Sequence, residues 1–169
     1  MPNIKVIPAH PSTPENNDRR DLPRANVWSV TPFERIVGNF AREGAPGIHD
    51  ETDGDGRCVI HGPFGRVPAR ILHLVYRDTR GRVVGHLAYY PEGVFGFYNP
   101  GEYSMTVWSG IRRRGVGTAL VAEADRRWGL DFTRQNYTDA GRALVVKYLN
   151  ERDRLALSEL APAPLMGAL

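Results

Sequence analysis

The sequence predicts an α/β fold, a mixed β-sheet flanked by helices, on three observations. The stretch "RILHLVYRDTRGRVVGHLAYYP", residues 70–91, pairs two β-branched and aromatic runs around an Asp78-Thr79-Arg80-Gly81 turn. A third such run, "YSMTVW", follows a glycine- and aromatic-rich connection. After Gly115 the apolar spacing lengthens to four, which is a helical period. With 169 residues, 41% of them apolar and 24% charged, the chain has the length and composition of one soluble domain with a sizeable core.

Residues 1–25 are polar and punctuated by proline, and read as an extended N-terminal arm. The folded domain is expected over 26–150, and a helix end and tail over 151–169. Thr31 can cap a helix with Pro32 at its first position, placing Phe33, Ile36, Val37 and Phe40 on one face before Gly44. "GAPGIHDETDGDGR", residues 44–57, reads as a loop. Its acidic spacing is not that of a calcium loop, because Gly62 stands where a bidentate Glu is needed. The hairpin and third strand come next, with Tyr103, Met105 and Val107 on one side. Val116, Leu120, Ala124 and Trp128, joined by Ala119 and Val121, then form the apolar face of a helix that ends at Gly129. "LDFTRQ", residues 130–135, reads as a short strand. Thr138 offers a cap for a second helix carrying Ala143, Leu144, Tyr148, Leu155 and Leu160.

Composition narrows the function classes. The formal charge of +3 and a pI near 9.2 permit an anionic partner without demanding one. Only Lys5 and Lys147 are lysines, so almost all the positive charge is arginine, whose planar fork suits oxyanions. Cys58 is the single cysteine, which excludes an internal disulfide and a cysteine-based zinc site. No His, Asp and Glu set has metal-ligand spacing, so no metal is expected. No apolar run reaches membrane-spanning length, and the first twenty residues lack the apolar core of a signal peptide. A cytoplasmic protein without a membrane partner is the expectation.

The densest signal is "VWSGIRRRGVGTAL", residues 107–120, a strand that turns through Gly-x-Gly into a helix. Such a junction points unbonded backbone N–H groups and the positive end of the helix dipole at one place, and glycine lets a ligand approach the main chain. Phosphate is the usual occupant. The dinucleotide fingerprint fails because Leu120 fills its third glycine position, and a Walker loop fails for want of Gly-Lys-Ser/Thr. A nucleic-acid interface along Arg112, Arg113, Arg114, Arg126 and Arg127 is an alternative that leaves the glycines unexplained.

Val107 to Gly117 resembles the acetyl-CoA signature of the GNAT N-acetyltransferase superfamily, V-x-P-x-x-[RQ]-x-x-G-x-[GA]. Arg112, Gly115 and Gly117 fill its diagnostic places, and Ser109 stands where proline is frequent. Asp78, Gly81, Val84 and Gly85 resemble the preceding hairpin, so the resemblance covers roughly residues 65–130. It implies a GNAT-like mixed, splayed sheet and acetyl-CoA as co-substrate. It implies a coenzyme A site over Val107, Trp108, Ser109, Arg112, Arg113, Arg114, Gly115, Val116, Gly117 and Thr118, with backbone N–H groups from Arg113 to Thr118 on the pyrophosphate. It also implies a tyrosine that protonates the departing thiolate, at Tyr148 or, as a rival, Tyr137. After Leu149 nothing resembles the superfamily's C-terminal hairpin, and Asn136 lies too far from Tyr148 to fit its usual Asn–Tyr run.

The reaction expected is acetyl transfer to a small-molecule or peptide amine, which requires a neutral amine and hence a base. Glu102, at the head of the strand carrying the motif, and His86, between Gly85 and Leu87, are the candidates, each with an ordinary reading as a surface carboxylate or a strand histidine. His73 and His61 share the second reading. Tyr89, Tyr90, Phe95, Phe97, Tyr98 and Tyr103 cluster near the glycine-rich connection, as an acceptor pocket, an interface such as a homodimer contact, or core. The alternative to an enzyme is a catalytically silent GNAT-like module for binding or assembly.

Overall fold

The computed structural model describes residue 40 and residues 44–62, 65–111 and 114–160. A four-stranded antiparallel sheet runs in the order β1-β4-β5-β6, from β1 (Gly47–Asp50), β4 (Leu72–Arg77), β5 (Val83–Tyr90) and β6 (Glu102–Val107). A second sheet pairs β2 (Arg57–Gly62) with β3 (Gly65–Arg70). The helices are α1 (Val116–Trp128) and α2 (Asp139–Leu160). The protein is therefore α/β, and every strand pair among the described residues is antiparallel.

Period-two alternation sorts the main sheet into two apolar layers. Leu74 and Tyr76 of β4, Leu87 and Tyr89 of β5, and Tyr103, Met105 and Val107 of β6 pack with α1 and α2. Val75, Ala88 and Tyr90 face the other way, into a cluster with Phe40, Ile60, Ala69, Ile71 and Val94. Leu74, Leu87 and Leu120 are fully buried, each contributing about 1.5–3 kcal/mol relative to exposure. The turn between β4 and β5 forms where expected. Asp78 Oδ1 accepts the backbone N–H of Arg80 and of Arg82, both at 2.9 Å. Those bonds hold its carboxyl below the usual carboxylate range.

Helix α1 spans the expected residues and ends on Gly129, whose left-handed backbone lets its N–H reach the Asp125 carbonyl at 2.8 Å. Two glycines permit its close seat. A Cβ on Gly85 would lie 2.7 Å from Val116 Cγ1, and one on Gly117 would lie 2.8 Å from Leu144 Cδ1. Thr138 caps α2 as expected, its Oγ1 accepting the Gly141 N–H at 3.0 Å. The first half of α2 packs through Leu144, Val145, Tyr148 and Leu149. From Asn150 to Glu159 it is exposed, so Leu155, at 50% exposure, does not continue the apolar face. The helix runs unbroken across the boundary expected at residue 150.

Three departures have physical causes. Gly47–Asp50, expected as loop, pairs with β4 as a four-residue edge strand, too short to carry a periodic signal. The β2–β3 hairpin escapes the sequence reading because Pro68 interrupts a pattern that a small, two-edged sheet tolerates. Residues 132–134, expected within a strand, form a 3-10 turn instead. There Asp131 Oδ1 accepts both the N–H and the hydroxyl of Thr133, a local bond that competes with pairing. The parallel component expected of a mixed sheet does not occur among the described strands, all of whose pairs are antiparallel. The N-terminal arm, the tail and the helix expected from Thr31 lie outside the described residues, apart from Phe40. No described helix is long and apolar enough to cross a membrane.

Candidate functional site

The junction of β6 and α1 is built by the sequence expected to bind an anion. After β6, a 3-10 turn at Ser109–Ile111 leads to Gly115, the residue before the helix, held at φ 83°, ψ 3°. That left-handed conformation is steeply unfavourable for most side chains. The first bond into the helix is from the Ala119 N–H to the Gly115 carbonyl at 2.9 Å. Within the helix, the N–H groups of Val116, Gly117 and Thr118 therefore have no backbone acceptor among the described residues. No described side chain caps this end, and its first turn carries no acidic residue. Arg114 stands exposed beside it. A Cβ on Gly115 would meet no described atom within 4 Å, so among the described residues the space beside this helix end is open there.

The two glycines thus do different work. Gly115 leaves the helix end accessible. Gly117, expected to make room for a pyrophosphate, is buried and makes room for Leu144 and Met105. Arg112 and Arg113 lie outside the described residues. Trp108 is partly exposed, and its ring lies where a Cβ on Gly110 would need to be.

Strand β6 is an edge among the described residues. The Trp108 N–H points inward to the Val84 carbonyl at 2.9 Å, whereas the Tyr103 N–H points outward to Gln135 Oε1 at 2.9 Å. Alternation then turns the backbone N–H and C=O of Met105 and Val107 to the same outer side. A row of outward amides thus runs toward the uncapped end of α1. These groups suit a ligand that presents amides followed by an anionic group, and the open approach at Gly115 fits such a ligand.

Glu102, ordinarily a surface residue type, is 2% exposed. Its Oε1 accepts the side-chain amides of Asn99 at 2.9 Å and Asn136 at 3.1 Å. On the same face, Tyr90 stacks on Tyr98 at 4.0 Å, and the Tyr90 hydroxyl lies 3.2 Å from Ser104 Oγ. Burial, with the Glu102 charge adding to it, pushes Tyr98 up to about 12. Two amide donors thus hold the Glu102 carboxylate in place on this face.

The three catalytic candidates are not brought together. His86 is 1% exposed, and its Nε2 is 2.9 Å from Nδ1 of the equally buried His73. It shares a sheet face with Glu102 but sits opposite Thr106, four residues along β6, about 13 Å away. Tyr148 lies on the other side of the sheet, in the helical layer, where its hydroxyl donates to Asp125 Oδ2 at 2.7 Å. Arg152 reaches the same oxygen at 3.2 Å, and the Leu130 N–H bonds Asp125 Oδ1 at 3.1 Å. Burial, with Asp125 accepting the hydroxyl's hydrogen bond, pushes Tyr148 up to about 12. Asp125 is ten residues from Gly115, about 15 Å along the helix, so Tyr148 serves to tie α2 to α1. Tyr137 is also engaged, its hydroxyl donating to the Phe132 carbonyl at 2.7 Å.

The six aromatics also divide. Tyr89, stacked on Trp128 at 5.0 Å, and Tyr103 belong to the helical layer, while Tyr90, Phe97 and Tyr98 belong to the opposite one and Phe95 is 72% exposed. Cys58 is half-buried, and its thiol is pushed up to about 11 by burial. Arg126 and Arg127, which a nucleic-acid interface would use, both bond Glu123, through their Nε atoms at 3.1 and 2.6 Å. Those two cations hold the Glu123 carboxyl down to about 2. No group of three potential metal ligands occurs among the described residues. Gln135, Asn99, Asn136 and Ser104 were not legible as site residues. The only available signal was the adjacent Gln-Asn pair in a stretch that reads as a strand.

No protein-family model, curated protein or solved structure matches this chain.

Proposed function

We propose that this chain binds an acyl-coenzyme A along the outer edge of β6 and the start of α1, and transfers the acyl group to an amine. One observation carries the reading: a strand with outward-facing amides leads to an uncapped helix N-terminus, open at Gly115. The GNAT resemblance of residues 107–117 adds the ligand class, since coenzyme A offers amides on its pantetheine arm and a pyrophosphate beyond them. When bound, it supplies an activated thioester.

The remaining work falls to the chain. The N–H groups of Val116, Gly117 and Thr118, with Arg114, hold the anion. The backbone of Met105 and Val107 orients the arm, and an edge N–H stabilises the negative charge that develops on the acyl oxygen. The amine nitrogen bonds that carbon as the C–S bond breaks, and Glu102 takes the amine proton. Tyr148, committed to Asp125, is not assigned to the leaving thiolate.

A thiol-release assay with acetyl-CoA against a panel of small amines and peptides tests the reading. Thiol release should depend on one class of amine. Glu102→Gln retains the oxygen that Asn99 and Asn136 address. It should lower kcat about 100-fold with acetyl-CoA affinity unchanged. Amine-independent background alone, or an undiminished rate in the variant, would sink this assignment.

A further inference from the structure

Gln135 is 3% exposed and extends from the residue after the 3-10 turn. Its side-chain Oε1 accepts the Tyr103 N–H, and its Nε2 donates to the carbonyls of Gly101 and Asp131, all three bonds at 2.9 Å. The carbonyl before Glu102 and the N–H after it are the two groups a parallel neighbouring strand would engage. The Gln135 carboxamide therefore makes the bonds of one strand residue. It does so at the end of a side chain, so the backbone of residue 135 stands farther from β6 than a paired strand would.

We infer that Gln135 is a positioning residue, a spacer that occupies the first bonding place on the β6 edge and holds the following chain away from Met105 and Val107. The slot so kept open takes an extended, amide-bearing ligand. The ligand's identity as acyl-coenzyme A rests on the function proposed above; the spacer itself does not. Asn136 follows immediately and reaches Glu102. The same dipeptide thus fixes both the head of the strand and its carboxylate. Replacing Gln135 removes the tie to Gly101 and Tyr103 while leaving Met105, Val107 and the α1 amides unaltered in sequence.

Amide hydrogen exchange, followed residue by residue by NMR, tests the spacer, alongside acetyl-CoA titration of the same samples. In the wild type, the Tyr103 amide should exchange at least about tenfold more slowly than those of Met105 and Val107. Gln135→Leu should speed Tyr103 exchange and weaken acetyl-CoA binding, each by about tenfold or more. Gln135→Glu keeps the acceptor for Tyr103 but sets its second oxygen against the Gly101 and Asp131 carbonyls, so it should preserve part of the Tyr103 protection and lose less affinity than Gln135→Leu. Rescue by this variant separates positioning from simple loss of fold. Equal exchange at all three amides in the wild type would overturn the spacer, as would unchanged acetyl-CoA affinity in Gln135→Leu. If the wild type binds no acetyl-CoA, the acyl-CoA reading falls, and the exchange pattern alone decides. Tyr103 protection that depends on Gln135 sustains the spacer, and protection that does not overturns it.

Discussion

Gly115→Asp should weaken acetyl-CoA binding at least about tenfold relative to Gly115→Asn, while the two variants unfold at similar temperatures. Both replacements pay for the left-handed backbone at φ 83°, a conformation that Asn and Asp tolerate better than other side chains. Neither meets a steric obstacle among the described residues, none of which has an atom within 4 Å of a Cβ at this position. They differ in charge. A carboxylate at this place competes with a pyrophosphate for the N–H groups of Val116, Gly117 and Thr118, and it repels the ligand through Arg114's neighbourhood. The same carboxylate complements the helix dipole, so stability is unharmed or slightly improved as binding is lost. Calorimetric titration and thermal melts of both variants read the two effects separately. Equal affinities would place the anion elsewhere. Gly117 is the poorer probe, because any side chain there must displace Leu144 and Met105 and would report on packing.

The second large effect concerns stability. His73 and His86 share a 2.9 Å contact in the core, at 2% and 1% exposure, with the Phe40 ring 5.8 Å and 5.1 Å from their centroids. The contact needs one ring nitrogen that carries hydrogen and one that does not. Replacing either histidine by Leu removes the bond between the two buried rings, at a cost of about 1–3 kcal/mol beyond the packing change. Replacing both removes the polar pair together. The double variant should therefore be less destabilised than the sum of the singles, with a coupling energy of about 1–3 kcal/mol from urea unfolding. Additive single effects at neutral pH would show that the two rings do not act as a pair.

The parts of the fold legible in the sequence were those with sustained period and explicit punctuation. The β4–β5 hairpin announced itself through alternating apolar residues and the Asp78–Gly81 turn, and α1 through its spacing of four between Gly115 and Gly129. Short edges were not legible. Four residues of β1 hold too few alternations to register, and Pro68 disguised β3. The stretch 130–135 misled because its apolar residues alternate like a strand, while Asp131 folds the chain onto itself by bonding Thr133.

The candidate site's backbone was legible where conformation dictates residue type. A left-handed residue before a helix demands glycine, and Gly115 supplied it. It was illegible where a side chain acts through a long-range partner. Glu102 could not be told from a surface carboxylate without Asn136, thirty-four positions away, donating to it. Gln135 reaches Tyr103 across thirty-two positions. Tyr148 had a suitable position in sequence, yet its hydroxyl is committed to Asp125, a choice that depends on how the two helices lie.

The central claim is that the edge of β6 and the start of α1 form one site for an acyl-coenzyme A. Isothermal titration of the wild-type chain with acetyl-CoA tests it most directly. Saturable one-to-one binding with a dissociation constant on the order of micromolar, about −8 kcal/mol, is the result predicted. Absence of saturable binding at millimolar acetyl-CoA would contradict it.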